Sequence, residues 1–137
     1  MSEEGNVTRK VLIVDDSKLA RMSVTRVLKT LHPDWRIMEA SDAEQALASV
    51  NRESPDFVLL DYNMPGKDGL VLAAELRQLN PAINIAVISA NHQVEVVDRA
   101  QASGAAFIRK PLTEKALAEF LDGAARSGGT DQTQSAQ

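Results

Sequence analysis

The chain has 137 residues, 15 basic and 19 acidic residues for a net charge of −4, and no cysteine. That length gives room for one domain with a core that needs no staples, and the cysteine count excludes disulfides, thiolate metal sites and cysteine nucleophiles. The acidic balance argues against direct nucleic-acid binding, and no run approaches the roughly 20 apolar residues of a membrane span.

The polar opening MSEEGNVTRK lacks the apolar segment of a signal peptide. Residues 1–8 read as a loose lead-in, and a cytoplasmic location is expected. Val11–Val14 is a short continuous apolar run ending in Asp15 and Asp16. Ser17 to Leu31 follows, with Leu19, Met22, Val27, Leu28 and Leu31 at roughly helical spacing. Trp35–Ala40 reads as a second, more amphipathic strand. Ser41 and Glu44 form a plausible capping box for a helix through Val50. Phe57–Leu60 is a third apolar run, ending in Asp61.

Beyond the turn after Asp61, Gly69–Leu79 reads as a helix with Leu72, Leu76 and Leu79 on one stripe. Ile83–Ile88 is a fourth strand, Val94–Ser103 a fourth helix closed by Gly104, and Ala105–Ile108 a fifth strand. Thr113 is a good N-cap for a last helix carrying Leu117, Phe120 and Leu121. The domain is expected over 9–126, with 127–137 a disordered polar tail.

Five strand–helix units in series imply a parallel sheet with helices on both faces. Right-handed crossovers leave few topologies, and the doubly wound, flavodoxin-like order 2-1-3-4-5 puts the weakly apolar second strand at an edge. The conspicuous polar residues then share one place. Asp15 and Asp16 end strand one, Asp61 ends strand three, Ser89 ends strand four, and Lys110 follows strand five. This carboxyl edge, at the switch point, is where open α/β sheets bind ligands. Taken singly, Asp16 and Ser89 read as helix caps, Asp61 as a turn residue and Lys110 as a solvated lysine. Those readings predict no common location.

Three carboxylates with no His or Cys nearby favour Mg²⁺. Asp16 and Asp61 suit direct ligation, Asp15 ligation through water, and the Asn63 carbonyl a further position. A carboxylate can also act as a nucleophile and form an acyl phosphate. Lys110 would then pair with one phosphoryl oxygen and the Ser89 hydroxyl with another.

VLIVDDS, LLDYNMPGKDGL, VISA and GAAFIRKPL strongly resemble the receiver domain of two-component response regulators. The likeness covers about residues 9–125. It implies that Asp61 is the phosphoacceptor, that Asp15, Asp16 and the Asn63 carbonyl bind Mg²⁺, and that Ser89 and Lys110 contact the phosphoryl group. The implied donor is a sensor histidine kinase or a histidine phosphotransfer protein. Ser89 and Phe107 are the implied switch pair, acting on a helix 4–strand 5–helix 5 face that meets a downstream protein. A Phe at 107 lacks the hydroxyl that a Tyr would offer.

Asn63 and Asn91, two residues after Asp61 and Ser89, are expected to modulate hydrolysis of the acyl phosphate. The absence of a sequence-visible second domain makes a stand-alone, monomeric switch the expectation. GAAF also lacks the acidic pair that marks many dimerising DNA-binding regulators. Three rivals remain. A Mg²⁺-dependent phosphohydrolase would want an acid at position 63. A flavin module would want a hydroxyl-rich loop in place of DDSKLA. A phosphorylation-independent adaptor would show degraded acidic residues.

Overall fold

A computed structural model describes residues 8–64, 66–90 and 94–130. The main sheet is built from β1 (Lys10–Val14), β2 (Arg36–Ala40), β3 (Phe57–Asp61), β4 (Asn84–Ser89) and β5 (Ala106–Arg109). All neighbours are parallel, in the order β2-β1-β3-β4-β5. Five helices connect and follow the strands: α1 (Lys18–Leu31), α2 (Ala43–Glu53), α3 (Gly69–Leu79), α4 (Val94–Ala102) and α5 (Glu114–Thr130). The expected architecture and strand order are those observed, with β2 at one edge.

Alternation along the strands divides the core in two. Leu12, Val14, Val58, Leu60, Ile85 and Val87 pack against α2, α3 and α4 through Ala46, Val50, Leu72, Leu76 and Ala100. Val11, Ile13, Phe57, Leu59, Ala86 and Ile88 face the other way, onto Val24 and Leu28 of α1 and Leu117 and Leu121 of α5. The central strands are therefore apolar on both faces, which is why they read as unbroken hydrophobic runs.

Several local expectations shift. In α1 the buried positions are Val24 and Leu28, whereas Leu19 is 75% exposed and Met22 46%. Leu79 likewise leaves the stripe and is 48% exposed at the end of α3. The N-cap of α2 is Asp42, not Ser41. Its carboxylate accepts from the Gln45 N–H at 2.8 Å, and the Gln45 side chain accepts the Ser41 N–H at 2.9 Å. The cap therefore falls one residue later than Ser41 would place it, and the Gln45 side chain reaches back past it to the Ser41 N–H.

Thr113 caps α5 as expected, accepting from the Ala116 N–H at 3.1 Å. Helix α5 continues to Thr130, so the backbone at 127–130 is helical rather than part of a tail. Residues 1–7 of the lead-in and 131–137 of the tail lie outside the described residues. Among the described residues no helix is long and apolar enough to cross a membrane.

Trp35 sits at the amino edge of the sheet. It stacks between His32 and Phe57, with ring centroids 3.7 and 5.5 Å away, and Phe57 meets Phe120 of α5 edge-on. This aromatic column closes the end of the molecule opposite Asp61, the far end of β3.

The burial of α1 gives a direct expectation. Leu28→Ala should destabilise by about 2–5 kcal/mol, whereas Leu19→Ala should stay within about 0.5 kcal/mol of the parent. Urea unfolding of both variants measures the difference.

Candidate functional site

The register of the central strands assembles the site. Val14 lies abreast of Leu60, so the residues that follow, Asp15 and Asp61, leave the sheet side by side. Asp61 lies abreast of Ile88, and Ser89 abreast of Arg109. The next residue after Arg109 is Lys110, whose N–H donates to the Ser89 carbonyl at 3.0 Å. Parallel pairing therefore brings four strand ends to one edge without a long loop.

Asp15 and Asp61 are 7% and 5% exposed, while Asp16 is open to solvent. One carboxylate oxygen of each lies within 4.8 Å of the other two. Burial pushes the Asp15 carboxyl above its ordinary pKa. The Ser17 N–H, which donates to Asp15 Oδ1 at 2.9 Å, opposes this, Asp61 adds to it, Lys110 opposes it and Asp16 adds again.

Lys110 Nζ stands 2.9 Å from Asp61 Oδ1. The contact is an ion pair without hydrogen-bond alignment: among the described residues this buried oxygen accepts no hydrogen bond. A buried carboxylate oxygen with uncommitted lone pairs, beside two further carboxylates, suits a hard divalent cation. The all-oxygen donor set fits such an ion better than a softer metal. A cleft of about 250 Å³ adjoins Asp15, Asp61 and Lys110, floored by Ile13, Leu59 and Ile88 and flanked by α1.

The isolated readings of these residues fail on the same geometry. Ser17, not Asp16, caps α1, accepting from the Ala20 N–H at 3.2 Å. Asp61 belongs to β3 and Ser89 to β4, so Ser89 does not cap α4, which begins at Val94. Lys110 is paired with Asp61.

Ser89 is fully buried, and strand alternation aims it with Ile85 and Val87 toward α3 and α4. Phe107 is abreast of Val87 and half-buried against the same cluster. Ser89 and Phe107 thus share one face of the sheet, while Asp61, in step with Leu59, points to the face that carries α1 and α5. Asn63 is exposed and paired with Asp68 in a two-residue ribbon, Asn63–Met64 against Lys67–Asp68, which the sequence does not announce. Asn91 lies outside the described residues, as does Pro65 of the motif.

Two supporting residues escape a reading of the sequence by residue type. Gly69 opens α3, and a Cβ there would stand 2.8 Å from the Tyr62 Cα and 3.1 Å from the Asp61 carbonyl oxygen. Its only sequence signal is the Asp68-Gly69 pair at a helix start, where Asp68 accepts from the Leu70 N–H at 2.7 Å. Arg21 donates to the Asp15 carbonyl at 2.7 Å and lies 2.7 Å from Glu39. An arginine one turn into an amphipathic helix carries no signal of such a role.

A family model described as the response regulator receiver domain matches residues 11–122. The chain is 39% identical over 120 residues to the positive alginate biosynthesis regulatory protein of Pseudomonas aeruginosa, covering 85% of this chain and 47% of that protein. It is 31% identical over 117 residues to the chemotaxis protein CheY of Bacillus subtilis, covering 85% and 97%. The chain spans about half the length of several curated relatives it matches. Among solved structures, CheY4 of Vibrio cholerae superposes with a TM-score of 0.77 at 26% identity, covering 86% of this chain and 99% of that one. A CheY-like receiver domain protein of Methanospirillum hungatei, at 24% identity and a TM-score of 0.79, covers 89% and 100% and supports the fold.

The raised Asp15 pKa fixes the sign of a stability effect. The folded state holds the Asp15 proton to higher pH than the unfolded chain, so stability falls as pH rises from the ordinary carboxylate range to the raised value. Asp15→Asn removes that penalty and keeps an acceptor for the Ser17 N–H. In a metal chelator it should stabilise the protein at neutral pH, and the gain should vanish once pH falls below the ordinary carboxylate range. Urea unfolding across pH measures both.

Proposed function

The chain belongs to the response regulator receiver domain family of two-component signalling, and on that premise we propose that it is a phosphorylation switch with Asp61 as its phosphoacceptor. The observation that carries the reading is the buried Asp61 carboxylate, ion-paired to Lys110 and within reach of Asp15 and Asp16.

In the proposed reaction an Asp61 carboxylate oxygen attacks phosphorus, and the bond from phosphorus to a donor imidazole nitrogen breaks. The donor is a phosphohistidine of a sensor kinase or phosphotransfer protein, and the leaving imidazole takes its proton from solvent. Asp15, Asp16, Asp61 and the Asn63 carbonyl would hold Mg²⁺. When bound, Mg²⁺ supplies charge neutralisation and a coordination position for one phosphoryl oxygen. Lys110 exchanges its carboxylate partner for a phosphoryl oxygen as a charge-assisted contact. The Ser89 hydroxyl, at the neighbouring strand end, donates to another oxygen.

The phosphoryl group adds about −1.5 to −2 charges at an edge already rich in carboxylates. A Ser89 drawn toward it leaves space on the α3–α4 face of the sheet, where Phe107 packs. Phe107 moving inward would reshape the surface of α4, β5 and α5, a shift between two packings. A groove of about 700 Å³ along β5 and α5, lined by Phe107, Thr113, Ala116, Glu119 and Phe120, gives a protein partner a place to respond. In this reading the domain acts in the cytoplasm as a monomer, through protein contacts. Asn63 and Asn91 set how readily water reaches the acyl phosphate. Asn at 63 disfavours the hydrolase alternative, which needs a second acid there.

Incubation with acetyl phosphate and Mg²⁺ should add the mass of one phosphoryl group. Asp61→Asn should abolish the adduct, and chelation should suppress it. An unchanged adduct in Asp61→Asn overturns the assignment. Mass is the appropriate readout, because Trp35 sits at the opposite end of the sheet. Asn63→Lys should change the adduct's lifetime without preventing its formation, as followed by its decay after the donor is removed.

A further inference from the structure

We propose that Arg21 and Glu39 form one positioning unit for the turn that presents Asp15 and Asp16 to Mg²⁺. The inference rests on the proposed function and names two residues outside the acidic cluster.

The turn between β1 and α1 is short, and its Asp15 peptide is gripped from both sides by the end of β2. The Asp15 N–H donates to the Ala40 carbonyl at 3.1 Å. The Asp15 carbonyl accepts from Arg21 Nη1 at 2.7 Å, and Arg21 Nε donates to Glu39 Oε1 at 2.7 Å. Glu39 directly precedes Ala40, so one strand end supplies both grips. The Arg21 side chain is only 14% exposed, although its partner carboxylate is 45% exposed.

A planar guanidinium is suited to this bridge, because its donors leave in fixed directions. One is aimed at β2 and the other at the turn. The second fixes the plane of the peptide joining Asp15 to Asp16. Asp16 is exposed, and it takes its direction from that plane. Metal affinity depends on such outer partners because a cation rewards only ligands already held in place.

The direct charge effect of Arg21 has the opposite sign. A nearby guanidinium repels a cation, and Glu39 attracts one. The two accounts therefore diverge. Positioning expects Arg21→Met and Glu39→Gln each to weaken Mg²⁺ binding by about tenfold, with the double variant no weaker than either single one. Charge alone expects Arg21→Met to tighten binding, Glu39→Gln to weaken it, and the double variant to return to the parent. Arg21→Lys keeps the charge but loses the fork; positioning expects weakened binding and charge expects none.

The experiment is a calorimetric titration of Mg²⁺ into each variant of the 137-residue chain without any phosphodonor, with thermal melts in chelator to establish folding. Arg21→Lys serves in place of Arg21→Met should the latter not fold. Weakened binding in the singles and no further loss in the double supports the unit. Unchanged or tighter binding in the arginine variants overturns it while leaving the proposed function intact. If the parent protein binds no Mg²⁺, the proposed function falls, and this inference with it.

Discussion

Electrostatic repulsion at the carboxyl edge of the sheet is the constraint on which this molecule turns. Two carboxylates, Asp15 and Asp61, are almost wholly buried beside each other and beside a third. At about 4 Å, two like charges at an effective dielectric near 20 repel by roughly 4 kcal/mol. The protein answers with one ammonium, Lys110, against Asp61, and with the Ser17 N–H against Asp15. Burial nonetheless holds the Asp15 carboxyl above its ordinary pKa, and Asp61 adds to the shift. Three carboxylates in that condition could hold a divalent cation.

Holding such a cluster together requires a rigid frame. The frame here is a parallel sheet whose central strands are covered on both faces, with the carboxylates placed where the strands stop. Each acid is then braced locally. The Asp61 strand runs into a turn against which α3 packs so closely that only a glycine fits at 69. The Asp15 turn is tied to β2 through Ala40 and through the Arg21–Glu39 bridge. Bonds to the backbone hold the peptide itself, so side chains along the turn inherit its orientation.

The same alternation that buries the core divides the residues of the carboxyl edge between its two faces. Asp61 belongs to the face that carries α1 and α5, whereas Ser89 and Phe107 belong to the face that carries α3 and α4. Helix α4 is itself tied to the site's rim, since Arg99 reaches the Asp68 carboxylate at 3.4 Å. On the same face, Arg77 of α3 donates to the Gly104 carbonyl beyond α4 at 2.9 Å. These exposed contacts are individually weak.

The parallel sheet, its strand order and the alignment of Asp15, Asp16, Asp61, Ser89 and Lys110 along one edge were legible in the sequence. Continuous apolar runs alternating with helical periods admit few topologies, and strand ends in such topologies coincide. The helix faces and caps were less legible. Leu19, Met22 and Leu79 have the right spacing for burial, but spacing does not say where a neighbouring element ends. Asp42 and Ser41 are both competent caps, and backbone direction chose between them. What only the tertiary structure decided is which distant groups meet: Lys110 on Asp61, Glu39 on Arg21, and the backbone of Tyr62 against Gly69. Periodicity along a chain reports which face a residue occupies, whereas contacts between elements depend on their register and approach, which no local pattern encodes.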